Sequence, residues 1–363
     1  MSDIKSPLPL KTNFDFVDTI RCISMIGIVF EHNTHVGEVY YKEFSMAMIQ
    51  ASVMQFFKFA TIAFFLIGGF LINHKFTEYT PLQYIKNRFK NTIGPWTLWL
   101  NIFVLLNIIN LLVKKYLIYH DNHTMPPDFS SYLGNLYYET IFLSSFWFIL
   151  NFLICISILL IFKKYIYHVF FGCILGLVSL FYSVNLYYGW IITNHSTALF
   201  GFVFYLWLGA FLNKHYESVS KFIRQKSLWF FILITVILFI FSDMESVILK
   251  NLGNNDAFNT LRFTNILYSI SFFFLLLKIG PLPLVNKYLE PRKTTFGIYL
   301  IHQIIITYVL IEIVRPFKIN VETLTLGHAT LYSLVCFLIV YCLSFALVAL
   351  IKVTRFKWAI GAS

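Results

Sequence analysis

The sequence predicts an all-α integral membrane protein: one transmembrane domain over residues 1–363, with about ten helices and both termini in the cytoplasm. Three observations predict it. The 363 residues are 58% hydrophobic and only 12% charged, against roughly 25% charged in soluble domains. The apolar residues gather into runs close to the roughly 20 residues that cross a bilayer as a helix. Lysine and arginine concentrate in alternate connecting segments, as the positive-inside preference requires.

The first run, 15–37, follows a polar N-terminus with no small-residue cleavage site after it, so it is expected to stay as a signal anchor. The second, 52–73, carries Lys58 early and is apolar beyond it. The third, 93–113, has Pro95 in its first turn, where a helix tolerates proline. Lys163 and Lys164 part the fourth run, 141–162, from the fifth, 166–184; Asn194, His195 and Ser196 part the fifth from the sixth, 197–213. Lys214, Lys221, Arg224 and Lys226 precede the seventh, 227–242. The polar stretch "NLGNNDAFNT" leads to the eighth, 262–279, and Arg292 with Lys293 to the ninth, 294–314. The tenth, 327–351, is unbroken.

With the N-terminus inside, the cytoplasmic segments hold 19 lysines and arginines and the outer segments 7, leaving Arg21 and Lys58 within spans. The formal charge of +11 and the pI near 9.3 thus follow from topology. Membrane lipids are expected as neighbours and nucleic acid is not. The five cysteines, Cys22, Cys155, Cys173, Cys336 and Cys342, all lie in apolar runs without a CxxC, and read as small core hydrophobes. His120, Asp121 and His123 make a poor tetrahedral set in one short loop, so no metal is expected. Asn122-His123-Thr124 and Asn194-His195-Ser196 match the glycosylation pattern and are read as chance.

The first run holds the unusual chemistry. His32 follows Arg21 by eleven helical steps, a rotation of about 1,100° that puts both side chains within about 20° of one helix face, roughly 16 Å apart along the axis. Asp18 shares that face one turn before Arg21 and can pair with it. His35 is expected at the interface, and Glu31 about 100° off the stripe, with Lys58 as a possible counter-ion. Ionisable groups inside a bilayer are costly and usually face a bundle interior or a watery cavity. A structural reading stands beside this: a snorkelling Asp18–Arg21 pair and a hydrogen-bonded His32.

The Arg21/His32 spacing resembles the first-helix signature of the acyltransferase-3 family of membrane O-acyltransferases, and further elements follow in order. "FFLIGGF" (64–70) resembles that family's FFxxSGF element. "NRFKNTIGPW" resembles its basic-then-proline lead into the third helix, through Arg88 and Pro95; "SSFWFI" its WF segment at Trp147 and Phe148; and "TTFGIYLIH" its YLxH element at Tyr299 and His302. The resemblance implies a stand-alone acyltransferase, without a fused SGNH-type domain, of a bacterial cytoplasmic membrane. It implies transfer of an acyl group, usually acetyl, from cytoplasmic acetyl-CoA to a hydroxyl of an envelope or exported polysaccharide, such as lipopolysaccharide, or of a lipid-linked sugar. Acetyl-CoA enters as donor substrate, and association into homo-oligomers is left open. Two positions depart from the family pattern: Gly68 replaces its serine, and Asn91 the second arginine of its RxxR element.

CoA carries a pyrophosphate and a 3′-phosphate, and arginine meets phosphate oxygens in bidentate fashion. Arg21, Arg88, Lys86 and Lys90 are therefore the candidate donor-binding residues, with the lysines equally readable as topology charges. Gly68 and Gly69 would let helices, or a thin pantetheine arm, approach closely. His32 is the candidate general base, since the acceptor hydroxyl needs a proton removed as it attacks. His302 would orient the acceptor or share the proton; its alternative is a buried histidine bonded to a carbonyl. Tyr299 and Trp147 are candidates for the wall around sugar or acyl chain. The competing class is a transporter of a glycan or anionic solute, with Arg21 lining a permeation route. Inverted repeats and matched broken spans would mark one, and neither is found.

Overall fold

The computed structural model describes residues 14–34, 36, 43–76, 78–119 and 128–361, and every regular element among them is helical. His35, Lys42 and the His120–His123 loop, with its glycosylation match, lie outside the described residues, as do Lys5 and Lys11. In chain order the helices are α1 (Asp15–Asn33), α2 (Phe44–Gln55), α3 (Ala60–Ile72), α4 (Pro81–Arg88), α5 (Gly94–Val113), α6 (Phe129–Phe142), α7 (Trp147–Ile161) and α8 (Val169–Tyr188). They continue as α9 (Val203–Lys214), α10 (Tyr216–Gln225), α11 (Leu228–Asn251), α12 (Phe263–Ile279), α13 (Pro283–Leu289), α14 (Pro291–Ile304), α15 (Ile311–Val314) and α16 (Leu326–Lys352).

Among the described residues, six helical segments are long and apolar enough to cross a membrane, or up to eight if each of two bent pairs counts as one span. This is fewer than the ten runs read from sequence, although each run contains helix. The 19-residue α1 carries Asp15, Asp18, Arg21 and Glu31, and the apolar helix Leu199–Lys214 is short. The second run begins earlier than expected, at Phe44, and continues to Ile72. The fourth is two helices, α6 and α7, bent by 68°. The seventh extends to Asn251 and so draws Asp243 and Glu245 into a helix that buries both.

The breaks have identifiable chemistry. Backbone groups freed inside a bilayer must find partners within the protein. At the α6–α7 bend, Ser144 Oγ donates to Thr140 O at 2.5 Å, a back-bond that bends helices. Trp96 Nε1 then donates to Phe146 O at 3.1 Å, and the Tyr299 hydroxyl to Ser145 O. Between α2 and α3, the Tyr268 hydroxyl donates to Phe56 O at 2.8 Å. Solvent-side starts are capped in the ordinary way: Thr80 and Gln83 form a capping box on α4, and Ser227 and Thr325 accept from the first turns of α11 and α16.

Helices α3 and α9 cross at near backbone contact. A Cβ on Gly69 would lie 1.8 Å from Leu206 O, and one on Gly209 2.0 Å from Leu66 O, so the crossing exists only because both positions are glycine. Around it Phe59, Phe65, Phe70, Tyr205 and Leu206 form the buried core. Large apolar side chains point outwards over the long helices, among them Leu177, Trp229 and Leu331, where lipid rather than water would meet them. Cys22, Cys155 and Cys336 are buried, but Cys173 and Cys342 are exposed on α8 and α16, so the reading of all five as core residues holds for three.

Candidate active site

Three arginines from separate parts of the chain meet at one end of the bundle. Arg21 lies two turns into α1, Arg88 ends α4, and Arg292 follows Pro291 at the start of α14. Together they line a cavity of about 340 Å³. Asp18 is buried between two of them: its Oδ1 is 3.1 Å from Arg21 Nη1 and its Oδ2 2.6 Å from Arg292 Nε. Arg88 Nε donates to the Tyr84 hydroxyl at 3.2 Å, with the guanidinium above the Tyr84 ring. The arginines are thus oriented by an acid and a phenol, and the buried Asp18 balances one of their charges.

Beyond the arginines the lining turns apolar and aromatic, with Phe64, Phe148, Phe152 and Phe296 among its residues. Gly68 lies on this wall facing the Phe152 ring, which a Cβ there would meet at 2.3 Å. Gly69, its neighbour, faces α9 instead. The inner end of the cavity is reached at Ile28 on α1 and Tyr299 on α14.

His32 and His302 lie one helical turn further along the same two helices, roughly 5–6 Å of rise. Their ring centroids are 5.2 Å apart and the planes are inclined by 72°. His302 is fully buried. Its Nδ1 lies 2.7 Å from Tyr299 O and 3.2 Å from Ile298 O. Carbonyls only accept, so Nδ1 carries the proton and Nε2 keeps its lone pair; Nε2 is buried with no hydrogen-bond partner. His32, in contrast, is exposed within the fold.

A second polar cluster flanks the histidines. Glu31 Oε2 pairs with Lys58 Nζ at 3.1 Å, while Glu31 Oε1 is buried without a partner. His195 Nδ1 lies 3.0 Å from Asp256 Oδ2. Burial works to raise the Asp256 carboxyl, but the hydrogen bond and charge of His195, with the charge of Lys58, hold it down at about 2. Arg262, fully buried, donates to Ser242 O at 2.6 Å, to Asn259 O at 3.1 Å and to Gln55, which ties α2, α11 and the start of α12 together.

The structure therefore brings Arg21, Arg88, Gly68 and Tyr299 to one cavity, with Asp18 supporting it, and sets His32 against His302 just beyond. It does not bring Lys86 and Lys90 there; both are exposed and outside the lining. Trp147 is only 6% exposed, with Phe148, Phe202 and His195 packed against it, so it supports neighbours and offers no open stacking face. Sequence reasoning missed Arg292, Tyr84, His195 and Asp256. Arg292 had a readable signal: it precedes His302 by about the interval that separates Arg21 from His32. For the His195–Asp256 pair, joined only by folding, sequence gives none.

A family model described as an acyltransferase domain matches residues 14–351. No curated protein and no solved structure matches the chain. The match covers nearly the whole chain, and with it the arginine cavity and both histidines: the chain belongs to the acyltransferase-3 family of membrane O-acyltransferases.

Proposed function

We propose that the protein transfers an acyl group, most simply acetyl, from cytoplasmic acetyl-CoA to a hydroxyl of an envelope or exported polysaccharide or a lipid-linked sugar. In this reading the chain crosses a bacterial cytoplasmic membrane about ten times with both termini inside, the arginine end facing the cytoplasm. The observation that carries the reading is the convergence of Arg21, Arg88 and Arg292 on a cavity whose lining includes Ile28 and Tyr299, one helical turn before the His32–His302 pair. Three guanidiniums suit a ligand with a pyrophosphate and a further phosphate. The apolar stretch past Gly68 suits a thin pantetheine arm, and the thioester would come to rest near Tyr299.

The thioester is already activated, so the chain's own task is to activate the alcohol. His32 accepts the hydroxyl proton as the oxygen attacks the thioester carbonyl carbon. The C–S bond of the tetrahedral intermediate then breaks, the ester forms, and the proton passes from His32 to the departing thiolate to give free CoA. His302, with its lone pair at Nε2, is suited to hold the acceptor hydroxyl or share the proton. The acyl end must advance about one helical turn past the cavity's inner end, and Tyr299 and Ile28 are the side chains it must pass.

The test is transfer of radiolabelled acetyl from acetyl-CoA to glycan in membranes holding the wild type or His32→Ala. Label reaching glycan in the wild type and not in the variant supports the reading. Equal label in both removes His32 as the base, and solute flux without acyl-CoA would favour transport instead.

A further inference from the structure

After α16 the chain turns back beside the arginine cavity. Thr354 caps a short 3₁₀ helix, Arg355–Ile360, by accepting from Phe356 N, and Gly361 follows in the left-handed region at φ +71°. Arg355, Phe356, Lys357 and Trp358 are exposed on its outer side, whereas Ala359 and Ile360 are buried against the fold. The stretch lies past residue 351, where the family match ends.

Three contacts tie this stretch to segments that carry cavity residues. Trp99 Nε1 on α5 donates to Ala359 O at 2.8 Å. Ile360 lies against Gly297 on α14, where an added Cβ would stand 3.1 Å from the Ile360 Cβ. Gly361 fits between the Asn91 carbonyl and the Phe296 ring, and a Cβ on it would meet each at 2.7 Å. Phe296 lines the cavity and lies one turn after Arg292; Asn91 lies between Arg88 and Thr92, which also line it. Both arginines sit where a helix's own bonds hold them weakly. Arg292 is in the first turn of α14, and helix ends leave backbone groups unpaired and fray. Arg88 precedes Phe89–Ile93, where the helix widens to i→i+5 bonding and Gly94 N donates to Phe89 O, a rare form found mostly at functional sites. The C-terminal stretch touches both segments at once.

We infer that residues 359–361 are a brace that fixes the separation of Arg88 and Arg292 across the cavity, with Gly361 as its positioning residue. The inference rests on the reading of this cavity as the donor site. Guanidiniums that grip separate phosphates of one ligand need a set spacing, because each contact is directional. Gly361 is suited to the task twice over: its backbone conformation is one that glycine adopts without strain, and its missing Cβ lets the stretch close onto the Asn91 carbonyl.

The experiment compares the wild type, Gly361→Ala, Trp99→Phe and a chain stopped after Thr354, all in lipid nanodiscs. Hydrogen–deuterium exchange is read on peptides covering 88–97 and 291–298 without ligand, and labelled CoA binding on the same samples. In Gly361→Ala and the shortened chain, exchange in both peptides should quicken and CoA binding weaken by about tenfold, the scale of forcing an L side chain into the left-handed region. Trp99→Phe should shift both readouts the same way by about threefold, as for one neutral hydrogen bond. Acetyl-CoA KM should rise in Gly361→Ala while kcat at saturating donor stays within about twofold of the wild type; a general loss of structure would lower kcat instead. Phe356→Ser combined with Lys357→Gln, on the outer side of the same turn, should leave exchange and binding as in the wild type. Unchanged exchange in the shortened chain, or an equal loss in the outer double variant, overturns the inference. If the shortened chain misfolds, Gly361→Ala and Trp99→Phe carry the test, and unchanged exchange in both overturns it. A wild type that binds no CoA counts against the donor reading alone, and wild-type-like exchange in every variant against the brace alone.

Discussion

The imidazole of His32 meets that of His302 edge to face, centroids 5.2 Å apart, and only one of the two has its proton fixed by the fold. Tyr299 O and Ile298 O hold the His302 proton on Nδ1; His32 has no such partner among the described residues and is the ring open to a ligand. This asymmetry assigns different expectations to the two. His32→Ala should lower the transfer rate by about 10²–10⁴-fold, the range for loss of a general base. His302→Ala should cost less and be felt chiefly in acceptor KM. Initial rates at saturating acetyl-CoA, with acceptor varied, check both.

The arginines and lysines of the cytoplasmic end should separate in the same way. Arg88 lines the cavity and is held by Tyr84, while Lys86 and Lys90 are exposed beyond it. Arg21→Ala, Arg88→Ala and Arg292→Ala should each weaken CoA binding by about 10–150-fold, the equivalent of about 1.5–3 kcal/mol for hydrogen bonds to a charged group. Lys86→Ala and Lys90→Ala should change it by less than about threefold, as for screened surface charges. Equilibrium binding of labelled CoA to purified protein makes the comparison.

The two adjacent glycines give a third pair. Gly69→Ala places a methyl against the Leu206 carbonyl, and overpacking of this kind costs about 1–3 kcal/mol even where side chains can yield; here the obstacle is backbone, so the melting temperature should fall clearly. Gly68→Ser restores the family's hydroxyl but meets the Phe152 ring, a side chain that can move. Its effect should appear in acetyl-CoA KM more than in stability, and Phe152→Leu in the same chain should relieve it.

Much of this was legible from sequence, and the division follows physical lines. A bilayer demands long apolar runs and penalises buried charge, so the helices and the Arg21–His32 stripe on α1 stand out locally. Gly68, Arg88, Tyr299 and His302 were reached through ordered motifs. What stayed hidden depends on partners distant in sequence. The bend before Trp147 contains no proline or glycine and persists because Trp96 and Tyr299 take the freed carbonyls. In sequence Arg292 is one more topology charge; only the folded contact with Asp18 holds it at the cavity. Lys58 and Glu31 carry opposite charges at unrelated positions, and only the packing of α1 against the α2–α3 break pairs them.

That pair supports a prediction of its own. Removing one member of a buried ion pair leaves an uncompensated charge and costs about 3–5 kcal/mol, whereas removing both can be nearly neutral. Lys58→Met should therefore destabilise strongly, and Lys58→Met combined with Glu31→Gln should recover most of the loss. Thermal unfolding of the two single variants and the double variant closes the cycle.

The Asp256–His195 contact makes the last prediction, one of pH. The Asp256 carboxyl is lowered from 3.8 to about 2 in the fold, against burial, by His195 and Lys58. A carboxylate lowered in the folded state adds stability that is complete above its unfolded value and disappears as pH falls through the folded one. The contribution is about 2 kcal/mol at neutral pH, and it should be lost between about pH 4 and pH 2. Asp256→Asn has no such carboxylate to titrate, so the gap in stability between wild type and variant should be widest near neutrality and close across that window. Denaturation midpoints of both proteins, measured in parallel from pH 7 to pH 3, should show the gap narrowing only below about pH 4, where protons begin to compete for Asp256. A gap that stays constant over the whole range would mean that the carboxylate's charge contributes nothing to holding His195 in place.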